Sequence, residues 1–138
     1  MTVTMVSVSA YFSGATSVRV LIVEDEVLSA MYMQLILENA GYEVVGLETK
    51  GEEALRNAAD HSPDIALVDI HLQGGMDGLD VAAEMRATFG IPSLFVTAYS
   101  PEELKGKDRR LTPEDVITKP IQEGVLKRRI ERILDTGT

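Results

Sequence analysis

Ile65-Ala66-Leu67-Val68-Asp69 is a short apolar run that closes on an acid. The same plan recurs with other polar endings: Val20-Leu21-Ile22-Val23 closes on Glu24-Asp25, Leu94-Phe95-Val96 on Thr97, and Val116-Ile117-Thr118 on Lys119-Pro120. Short β-branched runs separated by helical patterns read as parallel strands, and the ligands of open α/β sheets gather outside the carboxyl ends of such strands. One fold therefore brings Glu24, Asp25, Asp69, Thr97 and Lys119 together.

Working outward, the first strand is Arg19 to Val23, and the helix after it carries Leu28, Met31 and Leu35 on one stripe before stopping at Gly41. Tyr42 to Leu47 is the second strand. Thr49 and Glu52 have the spacing of a capping box, which predicts a helix from there through Asp60. Pro63 and Asp64 lead into the third strand. The loop His71 to Met76 follows it, and Asp77 caps a helix that turns Leu79, Ala82 and Ala83 toward the sheet and ends near Gly90. Ile91 to Val96 is the fourth strand. Ser100-Pro101-Glu102-Glu103 opens a poor, short helix weakened by Gly106; Val116 to Thr118 is the fifth strand, and Ile121 to Leu134 closes the chain with Leu126, Ile130, Ile133 and Leu134 at helical spacing. The alternation is that of a doubly wound α/β fold with helices on both faces of a parallel sheet.

With 138 residues, 45% of them apolar and 25% charged, the chain suits one globular domain, expected over residues 18–138 behind an N-terminal tail of residues 1–17. That tail lacks the basic start and apolar core of a secretory signal. It reads either as a loose terminus or, through the alternation in Val3 to Val8, as an added edge strand. The absence of cysteine excludes a disulfide framework and a thiolate metal site and is compatible with a reducing compartment. No apolar stretch is long enough to cross a bilayer, and the expected location is the cytoplasm. Net charge is −9, and the acidic excess lies up to Thr97, with 14 acidic against 4 basic residues. Such acidity opposes binding to nucleic acid or an anionic membrane. Lys127, Arg128, Arg129 and Arg132 on the last helix read first as a solvated face and second as a docking patch for a protein.

No glycine-rich turn follows the first strand, and no Walker-type Gly-Lys-Ser/Thr occurs. Acids stand there instead. Three carboxylates, Glu24, Asp25 and Asp69, in a small volume repel one another unless a cation neutralises them, and an oxygen-rich shell of this kind suits Mg²⁺. Lys119 adds a compact positive charge and Thr97 a hydroxyl. Together they can hold the oxygens of a phosphoryl group while Asp69 attacks phosphorus. Taken singly, each has a plainer reading: acids at strand ends cap helices or sit in loops, Asp69 forms a turn, Thr97 ends a strand, and Lys119 is a surface charge. Their joint order is what points to phosphoryl chemistry.

The segments Leu21-Ile22-Val23-Glu24-Asp25-Glu26, Leu67-Val68-Asp69-Ile70, Met76-Asp77-Gly78, Phe95-Val96-Thr97-Ala98 and Thr118-Lys119-Pro120 resemble the receiver domains of bacterial two-component response regulators. The resemblance covers Val18 to about Leu134. It implies a flavodoxin-like receiver fold with five parallel strands in the order 2-1-3-4-5. It also implies that Asp69 is the phosphorylated residue, Asp25 a direct Mg²⁺ ligand, Glu24 an acid acting through metal-bound water, and His71 a ligand through its backbone carbonyl. Thr97 resembles the switch hydroxyl and Lys119 the cation that pairs with the phosphoryl group; the Lys119-Pro120 bond resembles one that is cis in receivers.

The function so implied is that of a phosphoacceptor in two-component signalling, not of a metabolic enzyme. It takes a phosphoryl group from a sensor histidine kinase or a histidine phosphotransfer protein, later hydrolyses it, and switches the surface of the fourth helix, fifth strand and last helix toward a downstream protein partner or onward phosphorelay. A homodimer is compatible with this reading. Many receivers carry an aromatic residue three positions before the lysine, where this chain has Val116; Tyr99 is the candidate substitute. Phe95-Val96-Thr97-Ala98-Tyr99 is similar to an atypical subgroup linked to stress signalling in alphaproteobacteria-like systems, activated by ordering of the fourth helix. No output domain is expected after Leu134. The alternatives are a phosphorylation-independent scaffold and a Mg²⁺-dependent phosphohydrolase of the haloacid type, which would need an acid where His71 stands.

Overall fold

The computed structural model describes residues 17–99 and 111–136. The expected tail, apart from Ser17, and the expected helix begun by Ser100 fall on residues outside this set. Five strands form one parallel sheet: β1 (Arg19–Val23), β2 (Glu43–Glu48), β3 (Ile65–Asp69), β4 (Ser93–Thr97) and β5 (Val116–Thr118), in the order β2-β1-β3-β4-β5. Among the described residues the helices are α1 (Val27–Asn39), α2 (Gly51–His61), α3 (Gly78–Phe89) and α4 (Glu123–Thr136), with a short 3-10 turn at Pro113–Asp115.

Strand residues alternate between two cores. Val20, Ile22, Ile65, Leu67, Leu94, Val96 and Ile117 face α1 and α4, where Met33, Leu37, Leu126 and Ile130 meet them. Leu21, Val23, Ala66, Val68 and Phe95 face α2 and α3, against Ala54, Ala58, Val81 and Met85. β1 and β3 are therefore almost wholly apolar, since both faces of a central parallel strand are covered. The pairings Val23↔Val68, Asp69↔Val96 and Thr97↔Thr118 bring the polar ends of β1, β3, β4 and β5 to one edge of the sheet.

The structure corrects several local expectations. Leu28, Met31 and Leu35 are 77%, 55% and 65% exposed, and α1 buries Ala30, Met33, Ile36 and Leu37 instead. α1 is apolar nearly all round, so two stripes of the same spacing compete, and the chain's turn out of β1 decides which one meets the sheet. Thr49 does not cap α2: Lys50 is the N-cap, in extended conformation, with no side-chain hydrogen bond. The start is set by packing, because a Cβ at Gly51 would lie 2.5 Å from Val81 Cγ2 and 3.0 Å from Met76 Cβ.

Asp77 does cap α3, accepting the Asp80 N–H at 2.9 Å, and the helix ends at Gly90 in left-handed conformation. Its Ala83 is exposed, however, and Val81 and Met85 join Leu79 and Ala82 in the core. Arg129 departs from the solvated face expected of α4: its Nη1 donates to the carbonyls of Glu114 (3.0 Å) and Val116 (2.8 Å), pinning α4 to the 3-10 turn and to the first residue of β5. The Lys119-Pro120 bond is cis. Among the described residues, no helix is long and apolar enough to cross a membrane.

Candidate functional site

Each site residue sits where a strand runs out. Glu24 and Asp25 follow β1, Asp69 ends β3, Thr97 ends β4, and Lys119 follows β5. Glu24, Asp69 and Thr97 are the buried polar residues among those described, at 1%, 7% and 0% exposure. One carboxylate oxygen each from Glu24, Asp25 and Asp69 lie within 4.8 Å of one another. Three acids this close, two of them buried, need positive charge or donated hydrogen bonds.

Both are present. Lys119 Nζ lies 2.7 Å from Glu24 Oε1 and 3.4 Å from Asp69 Oδ2. Burial alone would pull the pKa of the Lys119 ammonium down; the hydrogen bond to Glu24 and the charges of Asp69 and Glu24 outweigh it and hold the group above its ordinary 10.5. Glu24 Oε2 accepts the Glu26 N–H at 3.2 Å, and Oε1 accepts the Ser29 hydroxyl at 3.0 Å. Asp69 Oδ1 accepts the His71 N–H at 2.8 Å, and Asp25 Oδ2 accepts the Gln73 N–H at 3.1 Å. The loop after β3 thus donates to two of the three acids.

Thr97 Oγ1 accepts the Tyr99 N–H at 3.1 Å, so its hydroxyl is engaged with the start of the following loop. The Tyr99 ring stands edge-on to His71, with centroids 4.6 Å apart and planes at 71°. His71 is exposed, and its ring is no part of the acid cluster. Gly78 fits closely beneath Asp69: a Cβ there would lie 2.0 Å from the Asp69 carbonyl oxygen, while its N–H donates to the Ile70 carbonyl at 3.1 Å.

Sequence reading named Glu24, Asp25, Asp69 and Lys119, which the structure brings together, and Thr97 on the neighbouring strand end. It missed Ser29, the Gln73 amide and the close fit at Gly78. A serine in the first turn of an otherwise apolar helix, five residues beyond a strand-end acid, was the available signal for Ser29.

Residues 20–131 match the response regulator receiver domain family. The chain belongs to that family. Across 105 residues this receiver is 37% identical to the phyllosphere-induced regulator PhyR of Methylorubrum extorquens, covering 75% of this chain and 39% of that protein. It is 35% identical over 102 residues to the transcriptional regulatory protein PdtaR of Mycobacterium tuberculosis, covering 74% and 49%. The chain spans less than half the length of either relative. The receiver domain of a modulated diguanylate cyclase from Desulfovibrio desulfuricans superposes with a TM-score of 0.80 at 39% identity, covering 88% of this chain and 97% of that one. The fold is the flavodoxin-like receiver fold, and the family is one of signalling regulators.

Proposed function

We propose that this receiver accepts a phosphoryl group on Asp69 from a phosphohistidine of a sensor kinase or phosphotransfer protein. The observation that carries this reading is the Asp69 carboxylate, flanked by Lys119 at 3.4 Å and within 4.8 Å of two further acids. An Asp69 oxygen attacks phosphorus, the bond from phosphorus to the donor imidazole nitrogen breaks with its electron pair going to that nitrogen, and an acyl phosphate results. The site is later reset when water attacks phosphorus and the carboxylate leaves.

Lys119 is placed to pair with the phosphoryl oxygens, and the Thr97 hydroxyl is a second donor once it turns from its own loop. That turn removes the acceptor of the Tyr99 N–H; the surface of β5 and α4 is the proposed output of the switch. A downstream protein or the next member of a relay is the expected reader of that surface.

The donor set of Glu24, Asp25 and Asp69 is all oxygen and anionic, which fits Mg²⁺; in this reading Asp25, Asp69 and the His71 carbonyl would be the direct protein ligands, and Glu24 would act through metal-bound water. Bound there, the ion supplies charge neutralisation for the transferring group. The test is transfer from a phosphohistidine donor protein: the wild type is expected to gain the label and Asp69→Asn is not. Label on Asp69→Asn, or turnover of a simple phosphate ester that survives this substitution, contradicts the proposal.

A further inference from the structure

We propose that Ser29 is a positioning residue that holds Glu24 in place when Lys119 leaves it for a group bound at Asp69, an inference that rests on the phosphoacceptor reading. Glu24 is 1% exposed, and its Oε1 receives two donors that are anchored differently. Lys119 reaches it at 2.7 Å on a flexible stem from the loop after β5, and also lies 3.4 Å from Asp69. Ser29 reaches it at 3.0 Å from the first turn of α1, where the helix fixes the side chain's origin. A carboxylate has no proton to offer, so the hydroxyl is the donor.

Helix formation does not call for a serine at this position, since alanine is the better helix former. The hydroxyl's partner is the acid. A phosphoryl group on Asp69 brings additional negative charge beside Lys119, which draws the ammonium toward it and away from Glu24. A buried carboxylate stripped of its ion pair is strongly unfavourable unless other donors remain. Two do remain, the Ser29 hydroxyl and the Glu26 N–H at 3.2 Å. Without Ser29, Glu24 keeps only the Glu26 N–H once Lys119 leaves, Oε1 is left with no donor, and the shared cation is held more strongly at this one acid.

The experiment compares the full chain as wild type, Ser29→Ala and Ser29→Thr, titrated with Mg²⁺ alone by calorimetry. Ser29→Ala is expected to bind about tenfold more weakly, the usual scale for loss of a partner that orients a ligand, and Ser29→Thr to recover most of the loss. Equal affinities for wild type and Ser29→Ala, or a loss that threonine does not recover, overturns the inference.

If the wild type binds no Mg²⁺, the metal part of the proposed function fails, and a metal-free comparison decides on Ser29. Thermal midpoints are then read for wild type, Ser29→Ala, Lys119→Met and the double variant. A larger loss from Ser29→Ala in the Lys119→Met background than in wild type supports the role of Ser29 in holding Glu24, whereas additive losses overturn it.

Discussion

Lys119 stands 2.7 Å from Glu24 and 3.4 Å from Asp69, and that position gives its titration a direction. Its pKa is raised from 10.5, so the folded chain holds this proton more tightly than the unfolded one. The resulting stability is complete below about pH 10.5 and is lost as pH rises through the higher folded value. Tyr42, raised from 10.0 by burial and then by Glu131, adds an alkaline loss of the same sign. Urea midpoints measured upward through this range should therefore fall for wild type and fall less steeply for Lys119→Met; equal slopes would contradict the pairing. At Gly78 the clash is steric. Gly78→Ala places a Cβ 2.0 Å from the Asp69 carbonyl oxygen, and an overpacking loss of about 1–3 kcal/mol is expected in urea unfolding. Slower phosphoryl acceptance should accompany it as the Asp69 backbone shifts. The charged residues of the site were legible in the sequence because each ends an apolar run. Ser29 and the Gln73 amide were not, because a hydrogen bond across a strand-to-helix turn leaves no periodic trace.

At the scale of elements, α1 shows where spacing stops being informative. Leu28-Met31-Leu35 and Ala30-Met33-Leu37 both follow helical spacing, and only the second stripe is buried. Met33→Ala should cost about 2–5 kcal/mol in urea unfolding, as expected for emptying a core position. Leu28→Ala should stay within about 0.5 kcal/mol, as expected for an exposed site. The reverse order would place the wrong face against the sheet. β1 and β5 fall where the apolar runs put them, while β4 begins at Ser93 rather than Ile91. Ile91 is buried, yet its N–H donates to the Met85 carbonyl at 3.3 Å, so an apolar residue continues the pattern of a strand it does not join. Thr49 likewise carries the chemistry of a cap one residue too early, and the packing of Gly51 on Val81 overrides it.

For the whole molecule, the α/β alternation was legible from the apolar runs, but their order across the sheet was not. Strand order came from resemblance to a family, and the structure reproduces it as β2-β1-β3-β4-β5. That order is what turns four separated sequence endings into one site, since β3 lies between β1 and β4 and delivers Asp69 beside Glu24 and Asp25. Phosphoryl chemistry on Asp69 is what this arrangement is proposed to serve. Its most direct test is the intact mass of wild type and Asp69→Asn after incubation with acetyl phosphate, with and without Mg²⁺. A single phosphoryl addition that requires both Mg²⁺ and Asp69 is the predicted result; no addition to the wild type, or equal addition to Asp69→Asn, would contradict it.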